Sequence, residues 1–401
     1  MHDPLPLPLA LLIIFGSAKL LAEVCERLGQ PGIVGEILAG ALVGPSVLGW
    51  ISPNEILKAL SDLGVMFLLF GVGLEVKASE LLKVGGKAAL VATIGVIVPF
   101  FAGWGILAAW GAPQIESVFV GAAMVATSVG ITASVLSARR LLHEVASQII
   151  LAAAVIDDVL GLIVLAVVSS VARGRVNLWE IALVALLATA FTVVMAIWGT
   201  TAVKRVLPIF GSRARADEAE FHIALLFLFA MALLAQYTGV AAIVGAFLAG
   251  LALSESSDAR MRTLTRGVSE LLVPFFLAGI GLHLNFAVFR SRSTIALALV
   301  ILAAAVVTKL VGCGLGAISL GWQNVLKIGL GMVPRGEVGM VVAQIGLGMA
   351  VISTEVYSVV VFMAVATTLL TPLLLKIAFR NPTLVPAEAW QNSSQQSSRA
   401  R

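Results

Sequence analysis

The sequence is poor in charge. Of 401 residues only 12% are Asp, Glu, Lys or Arg, against 60% hydrophobic, and mean hydropathy is +1.05. A soluble domain carries about twice that share of charge, so the composition excludes a water-soluble globule and places the chain in lipid. Cysteine is nearly absent. Cys25 and Cys313 stand alone, which suggests neither a disulfide framework nor a zinc site. Alternating polar and apolar strands are missing too, leaving an α-helical bundle rather than a barrel. The opening "MHDPLPLPLALLIIFGSAKLL" lacks a basic leader and a small-residue cleavage site, and is expected to be a retained first span. The net charge of +4 is modest, and nucleic acid needs no place in the account.

What is present is a series of long apolar stretches. A helical span needs about 20 such residues. Thirteen are predicted: 6–24, 32–49, 56–76, 86–111, 117–138, 146–171, 178–202, 219–237, 240–254, 266–284, 294–319, 324–350 and 354–378. Residues 1–380 would form one polytopic all-α membrane domain, and the polar stretch 381–401 a disordered tail. With the connections sorted alternately to two sides, 18 Lys and Arg fall on one side and 5 on the other. The positive-inside rule makes the first side cytoplasmic, with the N-terminus outside and the C-terminus inside.

The chain repeats itself. "GQPGIVGEILAG" at 29–40 and "GVAAIVGAFLAG" at 239–250 share seven of twelve positions at an offset of 210 (239 minus 29). "FLLFGVGLEV" at 67–76 pairs with "FFLAGIGLHL" at 275–284, and "SVGIT" at 128–132 with "EVGMV" at 337–341. Seven predicted spans separate the members of each pair. Seven is odd, so equivalent helices must cross in opposite directions, giving an inverted-topology repeat of the kind secondary transporters use. Spans five and twelve carry "ATSVGIT" (126–132) and "MVPRGEVGM" (332–340) at equivalent positions. Proline in a helix interior loses a hydrogen bond and clashes, and freed backbone at membrane depth survives only beside a cavity or inside protein. Two discontinuous helices crossing near the midplane are therefore expected; a simple proline kink is the alternative.

Three charges break the symmetry. Asp157 and Asp158 lie mid-span in "VIDDVLGLIVL", where the second half has Thr367 and Thr368; Lys309 lies in "VVTKLVGCG", with no counterpart near Phe100. Each costs about 2.5–3.5 kcal/mol at helix centre, so each should face a cavity or a partner. Together they would titrate as one coupled cluster. Neighbouring helical residues diverge by about 100°, so one acid can meet Lys309 while the other faces a cation path. That divergence argues against an aspartic dyad, whose carboxyls share a proton face to face; a purely structural Asp157–Lys309 bridge stays open. Glu36, in span two, is expected near the interface in water, and Lys19 and Glu23 are expected to snorkel from the end of span one. Gly312 and Gly316 have the small-xxx-small spacing of close helix packing.

These motifs, with "PGIVGEILAGALVGPSVLG" and "PRGEVG", resemble the second cation:proton antiporter family, and closely its bacterial sodium/proton antiporters, over residues 8–380. The resemblance implies that Asp158 binds sodium or a proton, that Asp157 forms an exchangeable salt bridge with Lys309, and that Thr127 and Ser128 lie beside the ion. Glu337 and Arg335 would balance the helix ends at the second break. It further implies alternating access, with core helices about 86–171 and 294–378 moving against a dimerising scaffold about 6–76 and 219–284, joined by a linker helix about 178–202. Transport would be electrogenic, two protons in for one sodium (or lithium) out, across a bacterial inner membrane, in a homodimer surrounded by lipid and without an organic cofactor. A potassium/proton antiporter of the same fold is the nearest rival, although such relatives often have a neutral residue before a single Asp. A sodium-coupled solute symporter would need polar groups for an organic solute, and few are present. An intramembrane enzyme would need a nucleophile with a base, which the sequence does not offer.

Overall fold

The computed structural model describes residues 6–28, 30–172, 178–211, 219–283 and 291–380. Among these there is no strand, and fifteen α-helices run in order. They are α1 (Leu7–Arg27), α2 (Gly32–Val43), α3 (Glu55–Glu75), α4 (Ala78–Ala109), α5 (Gln114–Ala123), α6 (Val129–Ala138), α7 (Val145–Ala172), α8 (Leu178–Gly211), α9 (Ala219–Tyr237), α10 (Ala242–Leu253), α11 (Ala259–Leu282), α12 (Arg292–Gly316), α13 (Trp322–Gly331), α14 (Glu337–Gly348) and α15 (Thr354–Ala378). A helix, or a pair of them, overlaps each of the thirteen predicted stretches. Nine helices among the described residues are long and apolar enough to cross a membrane by themselves. The stretch 381–401 lies outside the described residues.

The repeat is written into the helix bounds. α2 at 32–43 and α10 at 242–253 differ by 210 at both ends, and α5 at 114–123 and α13 at 322–331 differ by 208 at both ends. α1 to α3 pack with α9 to α11, while α4 to α7 pack with α12 to α15; α8 lies along α7, α9 and α10. Two crossings fix the first group. α2 meets α11 where Gly40 and Gly281 touch, and a Cβ at Gly40 would collide with the Ala278 carbonyl. α10 meets α3 where Gly250 and Gly73 touch, and a Cβ at Gly250 would collide with the Phe70 carbonyl. Gly250 is Gly40 plus 210, so the same glycine makes the same crossing in each half. Without water to drive burial, membrane helices associate through such close backbone approach.

Some local details depart from expectation. α2 ends at Val43 rather than running to 49, because Pro45 follows and a turn takes over. α4 begins at Ala78, well before 86: its first turns carry Glu80, Lys83 and Lys87, so the helix continues beyond the apolar stretch that marks it. Glu36 is buried rather than solvated, with Lys19 Nζ 2.8 Å from its Oε1. Glu23 pairs instead with Arg27, at 2.7 Å.

Candidate ion-binding site

Spans five and twelve are both interrupted. α5 stops at Ala123 and α6 starts at Val129; α13 stops at Gly331 and α14 starts at Glu337. In the first break β-branched and hydroxyl residues give way to Ser128 at the N-cap of α6. In the second, Pro334 cannot donate a hydrogen bond, and Gly336 holds the N-cap of α14. The breaks touch: the Ser128 amide donates to the Pro334 carbonyl at 2.8 Å, and the Ser128 hydroxyl lies where a Cβ on Gly336 would have to go.

A broken helix leaves carbonyls open at the end of its first half and amides open at the start of its second. Here each break tends the other. Arg335, fully buried, sends Nη1 across to the carbonyls of Val125 at 2.8 Å and Ala126 at 3.1 Å. Its positive charge thus sits at the C-terminal, electronegative end of α5. In return Thr132 on α6 donates its hydroxyl to the Gly331 carbonyl, at the end of α13, at 2.7 Å. Glu337 is the first residue of α14, a position where the helix dipole favours an acid; its side chain lies outside the described residues.

α7 passes both half-helices α5 and α6 and also packs against α4. From it Asp157 reaches Lys309 of α12, Oδ1 to Nζ 2.9 Å, with both side chains at 0% exposure. Glycines bring α12 and α4 together beside Lys309. α12 lies so close to α4 that a Cβ on Gly316 would press on the Val91 backbone, and one on Gly312 would sit 3.0 Å from the Ile94 carbonyl. A Cβ on Gly95 would fall 3.6 Å from Lys309 Nζ. Asp158, the next residue, keeps 7% exposure. Three oxygens near the breaks and the pair are buried with no hydrogen-bond partner: Thr127 Oγ1, Ser128 Oγ and Asp157 Oδ2. Buried polar atoms are nearly always partnered. Orphaned hydroxyl oxygens in a break, with a carboxyl oxygen on the helix packed against it, are what a small hard cation, which prefers oxygen donors, would satisfy.

Several contributors escaped the sequence reading. Thr367 and Thr368 hold the backbone of Arg335 (amide to Thr367 Oγ1 3.1 Å, Thr368 Oγ1 to carbonyl 2.8 Å); their only signal was polarity at the repeat position of the acids. Thr132 lies in the run that marks the first break, but nothing in that run names its partner, and Gly95 gave no signal beyond lying in an apolar stretch. Away from the crossing, buried Lys327 on α13 pairs with Glu144 at 2.8 Å and lies over the Phe379 ring.

Comparison with known proteins follows the same lines. Residues 10–380 match the family described as "Sodium/hydrogen exchanger, transmembrane". The high-affinity Na(+)/H(+) antiporter NhaS3 of Synechocystis sp. is 34% identical, covering 92% of this chain and 89% of that protein. The Na(+)/H(+)-K(+) antiporter GerN of Bacillus cereus is also 34% identical, covering 92% and 95%. Among solved structures, the sodium proton antiporter MjNhaP1 of Methanocaldococcus jannaschii superposes with a TM-score of 0.66 at 19% identity, over 93% of this chain and 95% of that one.

Proposed function

The chain belongs to the sodium/hydrogen exchanger family, and on that footing we propose that it exchanges sodium for protons across the membrane by alternating access. The observation that carries the reading is the crossing of two broken helices beside a buried Asp157–Lys309 pair, with orphaned oxygens on Thr127 and Ser128. Asp158 is the cargo carboxylate, binding sodium or a proton in turn. Thr127 and Ser128 supply neutral oxygens to the sodium ion. Arg335 and Glu337 offset the exposed helix ends so that the site does not carry their partial charges alone.

Competition at one carboxylate gives obligatory exchange. A proton neutralises Asp158 and removes the charge that holds sodium; sodium entering from the other side expels the proton. Asp157 and Lys309 add a second proton. When Asp158 takes sodium, the pair can open and Lys309 can release its proton; when sodium leaves, the pair re-forms. Two protons then enter for each sodium (or lithium) ion that leaves, and one net charge moves inward, a step that a membrane potential drives by about 2.3 kcal/mol per 100 mV. The group of α4 to α7 and α12 to α15 carries the site past a dimerising frame of α1 to α3 and α9 to α11. The protein works in a cytoplasmic membrane with its N-terminus outside and C-terminus inside, as a transporter and not an enzyme, with no organic cofactor.

Potassium exchange is the second reading, favoured by one finding: a relative at 34% identity is itself named for both sodium and potassium. Purified protein in liposomes with a trapped pH dye decides between them. Sodium or lithium should dissipate an imposed pH gradient and potassium should not; dissipation by potassium alone would replace the first reading with the second, and no cation response would remove both.

A further inference from the structure

The two repeats divide their polar groups unevenly, and the division has a pattern. Asp157 and Asp158 on α7 correspond to Thr367 and Thr368 on α15 (367 minus 157 is 210), and Ala126 in the first break corresponds to Arg335 in the second (335 minus 126 is 209). Thr367 and Thr368 are both fully buried. The Thr367 hydroxyl oxygen accepts the Arg335 amide at 3.1 Å while donating to the Met363 carbonyl at 2.8 Å. The Thr368 hydroxyl donates to the Arg335 carbonyl at 2.8 Å. Two adjacent threonines thus take both backbone groups of one unwound residue. Neither group has a helical partner at that place, and a buried backbone group left alone is costly enough to move the chain.

What the grip controls lies at the far end of the same residue. The guanidinium holds the carbonyls of Val125 and Ala126, and reaches Ala305 of α12 at 3.4 Å. The next two residues after Ala126 are Thr127 and Ser128, whose hydroxyls are the orphans of the site. Arg335 is therefore a strut, clamped at its backbone by α15 and at its tip against the first break. We infer that Thr367 and Thr368 are positioning residues for the cation: through Arg335 they set where the run 125–128 lies, and so how well the Thr127 and Ser128 oxygens fit sodium. This rests on the exchange proposed at Asp158 and adds which residues set the neutral half of its ligand shell. It also accounts for the unequal chemistry of the repeats. In one half the α15 hydroxyls hold the break. In the other the break is held from across by Arg335, and α7 can carry carboxylates instead.

The test is sodium-driven proton exchange by the purified full-length protein in liposomes, measured against sodium concentration. Thr368→Val keeps the shape and removes the hydroxyl. It should raise the half-saturating sodium concentration about tenfold, the scale of one well-placed hydrogen bond, with the maximal rate within about twofold of wild type. Thr367→Val should act in the same direction, and Thr368→Ser should restore wild-type behaviour. Thr371→Val is the control: that hydroxyl is equally buried and bonds only the Thr367 carbonyl, at 2.7 Å, so sodium affinity should not move. A loss of maximal rate with unchanged half-saturation, an equal shift in Thr371→Val, or failure of serine to rescue would overturn the inference. So would a protein that folds with serine at position 368 but with neither valine nor alanine, since the hydroxyl would then be a folding requirement. Wild-type protein without any sodium-driven exchange would instead overturn the function on which the inference stands, and the same assay shows which has failed.

Discussion

Replacing Lys309 by glutamine isolates what the buried ion pair is worth. Asp157 and Lys309 meet at 2.9 Å with no exposure on either side chain. Removing one member leaves an unbalanced charge in a dry interior, and breaking such a pair costs about 3–5 kcal/mol. Thermal unfolding of purified protein in detergent reads this directly. The variant should be less stable than wild type by that amount. Adding Asp157→Asn should recover most of the loss, because no lone charge remains. Equal stability of Lys309→Gln and wild type, or a double variant no more stable than Lys309→Gln, would refute the reasoning.

Asp158→Asn should abolish exchange in liposomes while melting within a few degrees of wild type, since Asp158 is not the acid that pairs with Lys309; a fully active variant would remove Asp158 from the site. An imposed potential should shift the sodium gradient at equilibrium by roughly fiftyfold per 100 mV if one charge moves per cycle, and an electroneutral exchanger would show no shift. Gly40→Val should cost about 3 kcal/mol or more by forcing α2 from the Ala278 carbonyl, whereas Gly86→Ala, where a Cβ meets open space, should stabilise α4 by about 0.5–1 kcal/mol. Similar melting of both would show that the crossing is not a tight contact.

How much of this could be read in the sequence depended on how local each cause is. The repeat was legible because a glycine at each crossing is needed twice, so Gly40 and Gly250 recur with their neighbours. The pairing of Asp157 with Lys309 was foreseeable because charge at membrane depth is too costly to leave alone, and few partners exist. The places of both breaks followed from Pro334 and the hydroxyl run at 126–132. The rest came from contacts between distant residues. Nothing in "PRGEVG" says that Arg335 reaches into the other break, 210 residues away from Val125. Thr132 belongs to the run that marks the first break, but its partner is known only once the end of α13 arrives beside it. Glu36 reads as solvated because its partner Lys19 lies on another helix, and only the α1–α2 packing brings them together.

The bond from the Ser128 amide to the Pro334 carbonyl ties one unwound strand to the other. Two helices stitched at their midpoints cannot part to let an ion through without leaving a main-chain donor and acceptor unpaired, at about 1–3 kcal/mol each. A doorway made by pulling them apart carries that cost at every turnover. In the exchange proposed above, the cheaper course keeps the knot closed around the cargo while the walls about it change places with water.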